Sequence, residues 1–194
     1  MGQLLRARSA AAKETRRAAI LAAARVIHEQ TGYTAIAVAD VARRARLAKG
    51  TVFLYFPTKE ALFLALFDAL FDEWLDDLHA AVAGEAGAIA SEQLAGTIAE
   101  TLKARSALAR LLPLVAATIE PGAPPVQLAE SRRRRLRRFF ATGALVEERL
   151  GLARPGDGVL LLRCAFALLA SLGADADLRT ALTILGNGFH RKGT

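Results

Sequence analysis

A chain of 194 residues, 53% of them apolar and only 6 of them proline, can bury a full core and reads as almost entirely α-helical. Its formal charge of +7 directs it toward polyanions and away from cationic partners. A single cysteine, Cys164, excludes an internal disulfide and fits a reducing cytoplasm, and its apolar neighbours predict a buried core thiol.

The first predicted helix carries Ile20, Ala23, Ala24 and Ile27 at core spacing and gives way at Gly32. Arg16, Arg17 and Arg25 interrupt its apolar residues, so neither a leader peptide nor an interfacial membrane helix is expected. Two short helices follow over residues 37–56. Two helices that cross steeply need apolar residues at fixed offsets, which Val41, Ala45, Leu47, Val52 and Tyr55 supply, while Ala42 is small where the helices come closest. The second of them, residues 49–56, carries Lys49, Gly50, Thr51, Phe53, Leu54 and Tyr55. That mixture of charge, hydroxyl and aromatic groups suits phosphates and base edges and marks a candidate recognition helix. Pro57 and Thr58 end it, and Thr58 is the predicted N-cap of the next helix, with Glu60 in its first turn. Lys59 then stands beside a helix N-terminus, where free N–H groups and an ammonium make a phosphate site.

The fourth helix, residues 59–82, repeats Phe63, Phe67, Leu70, Trp74 and Leu78 at spacings of three and four and is long enough to link two domains. Gly84 and Gly87 mark a turn. Helices over 91–104 and 106–119 follow, the second bent at Pro113, and E-P-G-A-P-P at 120–125 is a break. A helix over 128–150, a connection with Pro155, Gly156 and Gly158, and two apolar helices over 159–172 and 178–189 complete the chain. The apolar run 159–172 is broken by Arg163 and too short to span a bilayer, so no membrane partner is expected.

Charge is distributed unevenly. The first 60 residues hold eleven basic against four acidic side chains, a surplus of seven, whereas residues 61–194 hold fifteen of each. The basicity therefore belongs to the segment with the candidate recognition helix, as double-stranded DNA binding requires.

At these residues the chain resembles the TetR family of transcriptional regulators. The likeness runs from Thr15 to about Leu66 through TRRAAIL at 15–21, Gly32, D-V-A at 40–42, and G-T-V-F-L-Y-F-P-T-K-E-A-L at 50–62. The resemblance implies that residues 49 to 55 enter the major groove or touch its backbone and that Lys59 holds a phosphate. It also implies an all-helical C-terminal part that varies with the ligand. Arg46 stands where a turn glycine is common, at a position that often needs positive φ, and Ala37 and Ala48 replace the usual Ser or Thr caps. The expected architecture is all-α with about nine helices: a three-helix helix-turn-helix DNA-binding domain over 1–57 and an effector-binding and dimerisation domain over 58–194.

The expected function is a ligand-responsive, homodimeric regulator, most often a repressor in this family, released from a pseudo-palindromic operator by a mostly apolar small molecule. The alternatives are a small-molecule-binding or enzymatic helical protein with an incidental helix-turn-helix, and a nucleoid-type structural protein, which basic charge over the whole chain would suit better. Glu147 and Glu148 are adjacent and point to different sides of a helix, which is wrong for paired acid–base work. Asp76-x-x-His79 has no second metal-binding pair to join it, and His28 and His190 fall elsewhere. Neither an enzyme, a metal site nor a cofactor is expected.

Two further readings concern the C-terminal part. Leu128, Arg132, Leu136, Phe139, Gly143, Val146 and Leu150 form an apolar stripe that would turn Arg132 inward, unlike Arg133, Arg134, Arg137 and Arg138, and a solvated face is expected for most of the run 132–138 rather than a second nucleic-acid patch. Arg132 would then pair with Glu100, Glu120 or Asp175, or else anchor an acidic ligand in a cavity lined by Phe67, Leu70, Trp74, Leu111 and Phe166. Leu161, Leu168, Leu172, Leu182, Leu185 and Phe189 offer more apolar surface than one domain needs, and pairing with a symmetry mate would bury it, with Arg163 seeking a partner nearby.

Overall fold

The computed structural model describes residues 2–172 and 177–191, and every regular element among them is helical. In chain order these are α1 (Gly2–Ala35), α2 (Val38–Arg44), α3 (Lys49–Tyr55), α4 (Lys59–Gly84), α5 (Ser91–Lys103), α6 (Ser106–Leu114), a π-turn (Val115–Ile119), the single turn α7 (Glu120–Gly122), α8 (Pro125–Leu150), α9 (Asp157–Leu172) and α10 (Asp177–Arg191). With α6, the π-turn and α7 taken as one interrupted rod, the described residues hold the nine helices expected.

Helix α4 is the axis of the molecule. Residues 61–67 are all buried, and Leu70, Phe71, Trp74, Leu75, Leu78 and Val82 continue the buried face. A helix apolar nearly all round must be enclosed, and α1, α5, α6 and α8 pack against it. Trp74 satisfies its indole by donating to the Thr101 hydroxyl at 3.1 Å.

Pro113 shapes the next stretch. It lies inside α6 without an amide proton to give the preceding turn, and the backbone winds as a π-turn two residues later. The break expected over 120–125 is shorter than read from the sequence: Glu120–Gly122 remains helical, and α8 starts at Pro125, where a missing N–H costs nothing.

The register of α8 also differs from expectation. Its buried residues are Ser131, Arg135, Phe139, Thr142, Gly143, Val146 and Leu150, so Arg135 points inward, whereas Arg132 and Leu136 are exposed. Two features fix this rotation. Gly143 lies against the start of α9, where a Cβ would stand 2.8 Å from the backbone N of Val159. Three aspartates of α4, spaced four apart, meet the arginines of α8: Asp68 faces Ser131 and Arg135, Asp72 faces Arg134 and Arg138, and Asp76 faces Arg138. Arg134 and Arg138 are therefore not simply solvated as the sequence suggested, whereas Arg133 and Arg137 are exposed.

Glu147, set aside as an acid–base residue, closes the α8–α9 connection by accepting from the amides of Gly156 at 2.7 Å and Gly158 at 3.1 Å. Cys164 is half-buried rather than a core thiol, because it sits at the margin of the buried stripe of α9 made by Leu161, Leu162, Ala165 and Leu169.

His28 ties α1 to α6. The ring is wholly buried, its Nε2 lies 3.0 Å from the Ala107 carbonyl, and its Nδ1 has no partner. The neutral ring with the proton on Nε2 satisfies this arrangement, since a second proton would be a buried donor with nothing to accept it. Burial holds the His28 pKa below its ordinary 6.5. A depressed histidine leaves the unfolded chain binding more protons between the two pKa values, so stability is full above about pH 6.5 and falls as the pH drops toward the folded value. Chemical denaturation between pH 7.5 and 5 should show this decline in the wild type and a shallower one in His28→Gln.

Candidate nucleic-acid interface

The helix-turn-helix is built on the apolar offsets read from the sequence. Val41 and Val52 are fully buried, Ala42 is 2% exposed, and Ala45, Leu47 and Tyr55 pack half-buried around them. The close of α2 explains Arg46. The Leu47 amide reaches back to the Ala42 carbonyl at 2.9 Å and the Arg46 amide to Arg43 at 3.2 Å, the pair of bonds that ends a helix through one left-handed residue. Arg46 occupies that conformation with φ 57°, and no other non-glycine residue described here has positive φ. A side chain in that region costs on the order of 1–2 kcal/mol.

The caps are weak. Ala37 and Ala48 offer no side-chain acceptor to α2 and α3. At α2 only the reverse bond remains, the Asp40 carboxylate accepting from the Ala37 amide at 3.4 Å while also pairing with Arg43 at 2.6 Å. Thr58 is the N-cap expected for α4, its hydroxyl accepting from the Ala61 amide at 2.9 Å.

The outer face of α3 presents Lys49, Gly50, Phe53 and Leu54, with Thr51 and Tyr55 half-buried at its edges. Leu54 is 84% exposed. A leucine so placed contributes nothing to the fold of this chain, and a thymine methyl is the kind of group it can meet in a major groove. Lys49 lies over the Phe53 ring, 5.7 Å from its centroid.

Lys59 is more constrained than the sequence suggested. Its ammonium donates to the Tyr33 carbonyl at 2.8 Å and lies 4.2 Å from the Tyr33 ring centroid, and burial lowers its pKa. An ammonium has three protons, so two remain for a phosphate. Tyr33 itself was not singled out from the sequence. Its hydroxyl donates to Glu60 at 2.9 Å, and burial together with that bond pushes its pKa up to about 12. The positive φ of Gly32, 77°, turns the chain so that Tyr33 can reach α4, and that glycine was the one available signal.

The candidate effector residues lie in the C-terminal core. Phe67, Leu70, Trp74 and Leu111 are buried and Phe166 is half-buried. Phe67, Phe71, Trp74, Phe139 and Phe166 form a connected ring cluster with neighbouring centroids 5.3 to 6.2 Å apart. Arg132 does not enter this region. It is exposed and pairs with Glu120, one of its three expected partners, at 2.5 Å, and Asp175 lies outside the described residues. The inward arginine is Arg135, paired with Glu120 and Asp68, bonded to the Ser131 hydroxyl at 2.8 Å and stacked 5.4 Å from the Phe67 centroid. Burial pushes the Asp68 carboxyl up, against the pull of Ser131 and Arg135. Asp76 and His79 are both exposed, and no group of three metal-ligating side chains occurs among the described residues.

The candidate interface residues divide. Leu161 and Leu182 are buried within this chain and cannot face a partner, Leu168, Leu185 and Phe189 are half-buried, and the Leu172 side chain lies outside the described residues. The exposed apolar residues here are Leu160 at 47%, which the sequence already places on this surface, and Ile184 at 67%, which it does not. With Arg154, Asp157, Leu185 and Phe189 they line a groove of about 410 Å³. Arg163 is exposed on the same helix as Leu160.

Comparison with known proteins agrees with this layout. Residues 20–66 match the model for bacterial regulatory proteins of the tetR family, and residues 68–183 match that for a tetracyclin repressor-like C-terminal domain. The HTH-type transcriptional regulator EthR of Mycolicibacterium smegmatis is 42% identical over 57 residues, 29% of this chain and 26% of that protein. The chain thus matches about a quarter of that relative's length. Among solved structures, a transcriptional regulator from Rhodococcus sp. RHA1 superposes with a TM-score of 0.62 at 22% identity, covering 91% of this chain and 96% of that one. The transcriptional regulator FadR from Bacillus subtilis, in complex with stearoyl-CoA, gives 0.51 at 15% identity, covering 87% and 95%. At such identities these structures share the fold.

The bare cap yields a prediction. Ala37→Ser places a hydroxyl where the N-terminus of α2 has only the Asp40 bond, and it should raise stability by about 1 kcal/mol. Equilibrium denaturation of the two proteins measures the difference.

Proposed function

The chain belongs to the tetR family of bacterial regulatory proteins, and on that premise we propose that it is a ligand-responsive DNA-binding regulator that works as a homodimeric repressor in the cytoplasm. The observation that carries the reading is the outward face of α3, where Leu54 and Phe53 stand exposed among Lys49, Gly50 and Thr51 in the segment that holds the whole basic surplus of the chain. In this reading residues 1–57 form the DNA-binding domain and 58–194 the effector-binding and dimerisation domain. Lys49 and Lys59 meet phosphates, Thr51 and Leu54 meet base edges, and Tyr55 contributes its ring to the core and its hydroxyl to the backbone.

The dimer forms through α9 and α10, with Leu160, Ile184, Leu185 and Phe189 covering one another across a two-fold axis. One recognition helix per protomer then reads a pseudo-palindrome whose half-sites lie roughly 34–36 Å apart. The effector is a mostly apolar small molecule that enters among the rings of α4, α8 and α9 and, by moving α4, changes the separation of the two recognition helices. Support for an apolar ligand comes from the ring cluster and from the stearoyl-CoA complex of the similar B. subtilis regulator. In this reading Arg132 has no part in holding it, because its side chain is in solvent and paired with Glu120.

Selection of bound duplexes from a randomised pool tests the DNA reading. A two-fold symmetric motif is expected, and recovery of no preferred sequence would refute it. With the selected duplex, Lys59→Ala should weaken binding to all sequences and make the salt dependence shallower by about one unit, whereas Leu54→Ala should alter base preference. Sedimentation tests the assembly: the wild type should be dimeric at micromolar concentration, and Ile184→Glu should shift it toward monomer.

A further inference from the structure

The single turn α7 lies between the C-terminal bundle and the DNA-binding segment. At its start Glu120, largely buried, is held by two arginines of α8: Arg135, which is 8% exposed, and Arg132, in solvent at 2.5 Å. At its end the Gly122 carbonyl accepts the Thr58 hydroxyl at 3.2 Å. That hydroxyl also caps α4, three residues after α3 ends. Gly122 has no room for a side chain, because a Cβ there would collide with the methylene of Glu60. Glu60 in turn receives the Tyr33 hydroxyl at 2.9 Å, and the carbonyl of the same tyrosine holds Lys59. One helical turn therefore joins an inward arginine of α8 to Thr58 and Glu60, which follow α3, and through Glu60 to Tyr33, which precedes α2.

We propose that the Glu120–Gly122 turn is a strut that sets the orientation of α3 against the C-terminal bundle, and that Arg135, acting through Glu120, is a positioning residue for DNA binding. This rests on the DNA-binding reading above. The geometry favours a strut over a simple filler for two reasons. Both ends of the turn are pinned by directional bonds rather than by apolar packing, so a displacement at one end reaches the other. The turn also has only two residues, Ala123 and Pro124, between it and α8, and the proline stiffens that joint. A shift of α8 is thereby passed to the cap of α4 instead of being absorbed in a loop.

The test measures orientation directly. Nitroxide labels are placed at Ala39→Cys on α2 and Ala144→Cys on α8, both exposed, in a Cys164→Ser background diluted with unlabelled protein so that only intrachain distances are read. Glu120→Gln removes the ion pair and Gly122→Ala wedges the turn away from Glu60. Arg137→Gln is the control, since Arg137 is exposed and has no ion-pair partner among the described residues. Both test variants should shift or broaden the label distance and lower affinity for the selected duplex by about tenfold, with the control unchanged. Unchanged distance and affinity in both variants, whatever happens to their melting temperature, would overturn the strut and leave α7 as ordinary packing. Should Glu120→Gln fail to fold, Gly122→Ala decides alone. A wild type that selects no duplex would refute the DNA reading, while the distance measurement would still decide the strut.

Discussion

The enclosure of α4 is the constraint on which the rest of the structure depends. A helix with thirteen buried residues must have neighbours on nearly every side, and only three residues separate its start from the end of the recognition helix. Those demands oppose each other. Full burial leaves little freedom to tilt, yet in the proposed mechanism this helix has to move when a ligand enters. The chain answers with polar contacts at the N-terminal end, where Thr58, Lys59 and Glu60 are held by directional bonds to Gly122 and Tyr33, and with aromatic packing further along, where Phe67, Phe71 and Trp74 meet Phe139 and Phe166.

Along one flank of α4 runs a line of aspartates, and the arginines of α8 answer it. The partners increase together along both helices, from Ala61 with Gln127 to Ala83 with Arg149, so α4 and α8 run parallel with a fixed register. Exposed members such as Arg134 with Asp72 contribute roughly 0–1 kcal/mol each, and their value lies in alignment. Arg135 is different. Removing one partner of a buried pair costs on the order of 3–5 kcal/mol, so Asp68, Glu120, Ser131 and Arg135 have to be kept or lost together.

The sequence reading succeeded where local chemistry decides. Val41 and Val52, the Thr58 cap and the exposed α3 face all follow from offsets within a few residues, and so did nearly every helix boundary, whereas the left-handed Arg46 followed from the family resemblance. It failed where a long-range contact sets a rotation. On α8 the apolar residues Leu128, Leu136 and Phe139 do not distinguish Arg132 from Arg135 as the inward arginine, because seven near-continuous residues carry six arginines and the hydrophobic stripe is narrow. The aspartate line of α4 and the contact of Gly143 with Val159 choose between them, and neither is visible from α8 alone. On α9 leucines occupy both faces, so Leu161 reads as available to a partner although it is buried within the chain, and on α10 the stripe through Leu182 and Leu185 leaves out the exposed Ile184.

The division of charge fits this mechanical picture. The N-terminal segment carries the whole basic surplus and meets a polyanion through side chains in solvent, where salt and phosphate can compete for them. The C-terminal part is balanced because its arginines are largely spent on its own carboxylates: of the six in residues 132–138, four have acidic partners within the chain. Within that run Arg133 and Arg137 alone stand without acidic partners among the described residues, and recruiting Arg134, Arg135 or Arg138 to a second DNA-binding surface would break pairs that hold α8 against α4. Basic residues in the two halves thus do different things, and the composition of the run alone does not reveal which. The partner set does: an arginine run whose members face a spaced line of aspartates is a helix-packing device, whereas Arg44, Arg46 and Lys49 around the short helix α3 are exposed and have no acidic partner among the described residues.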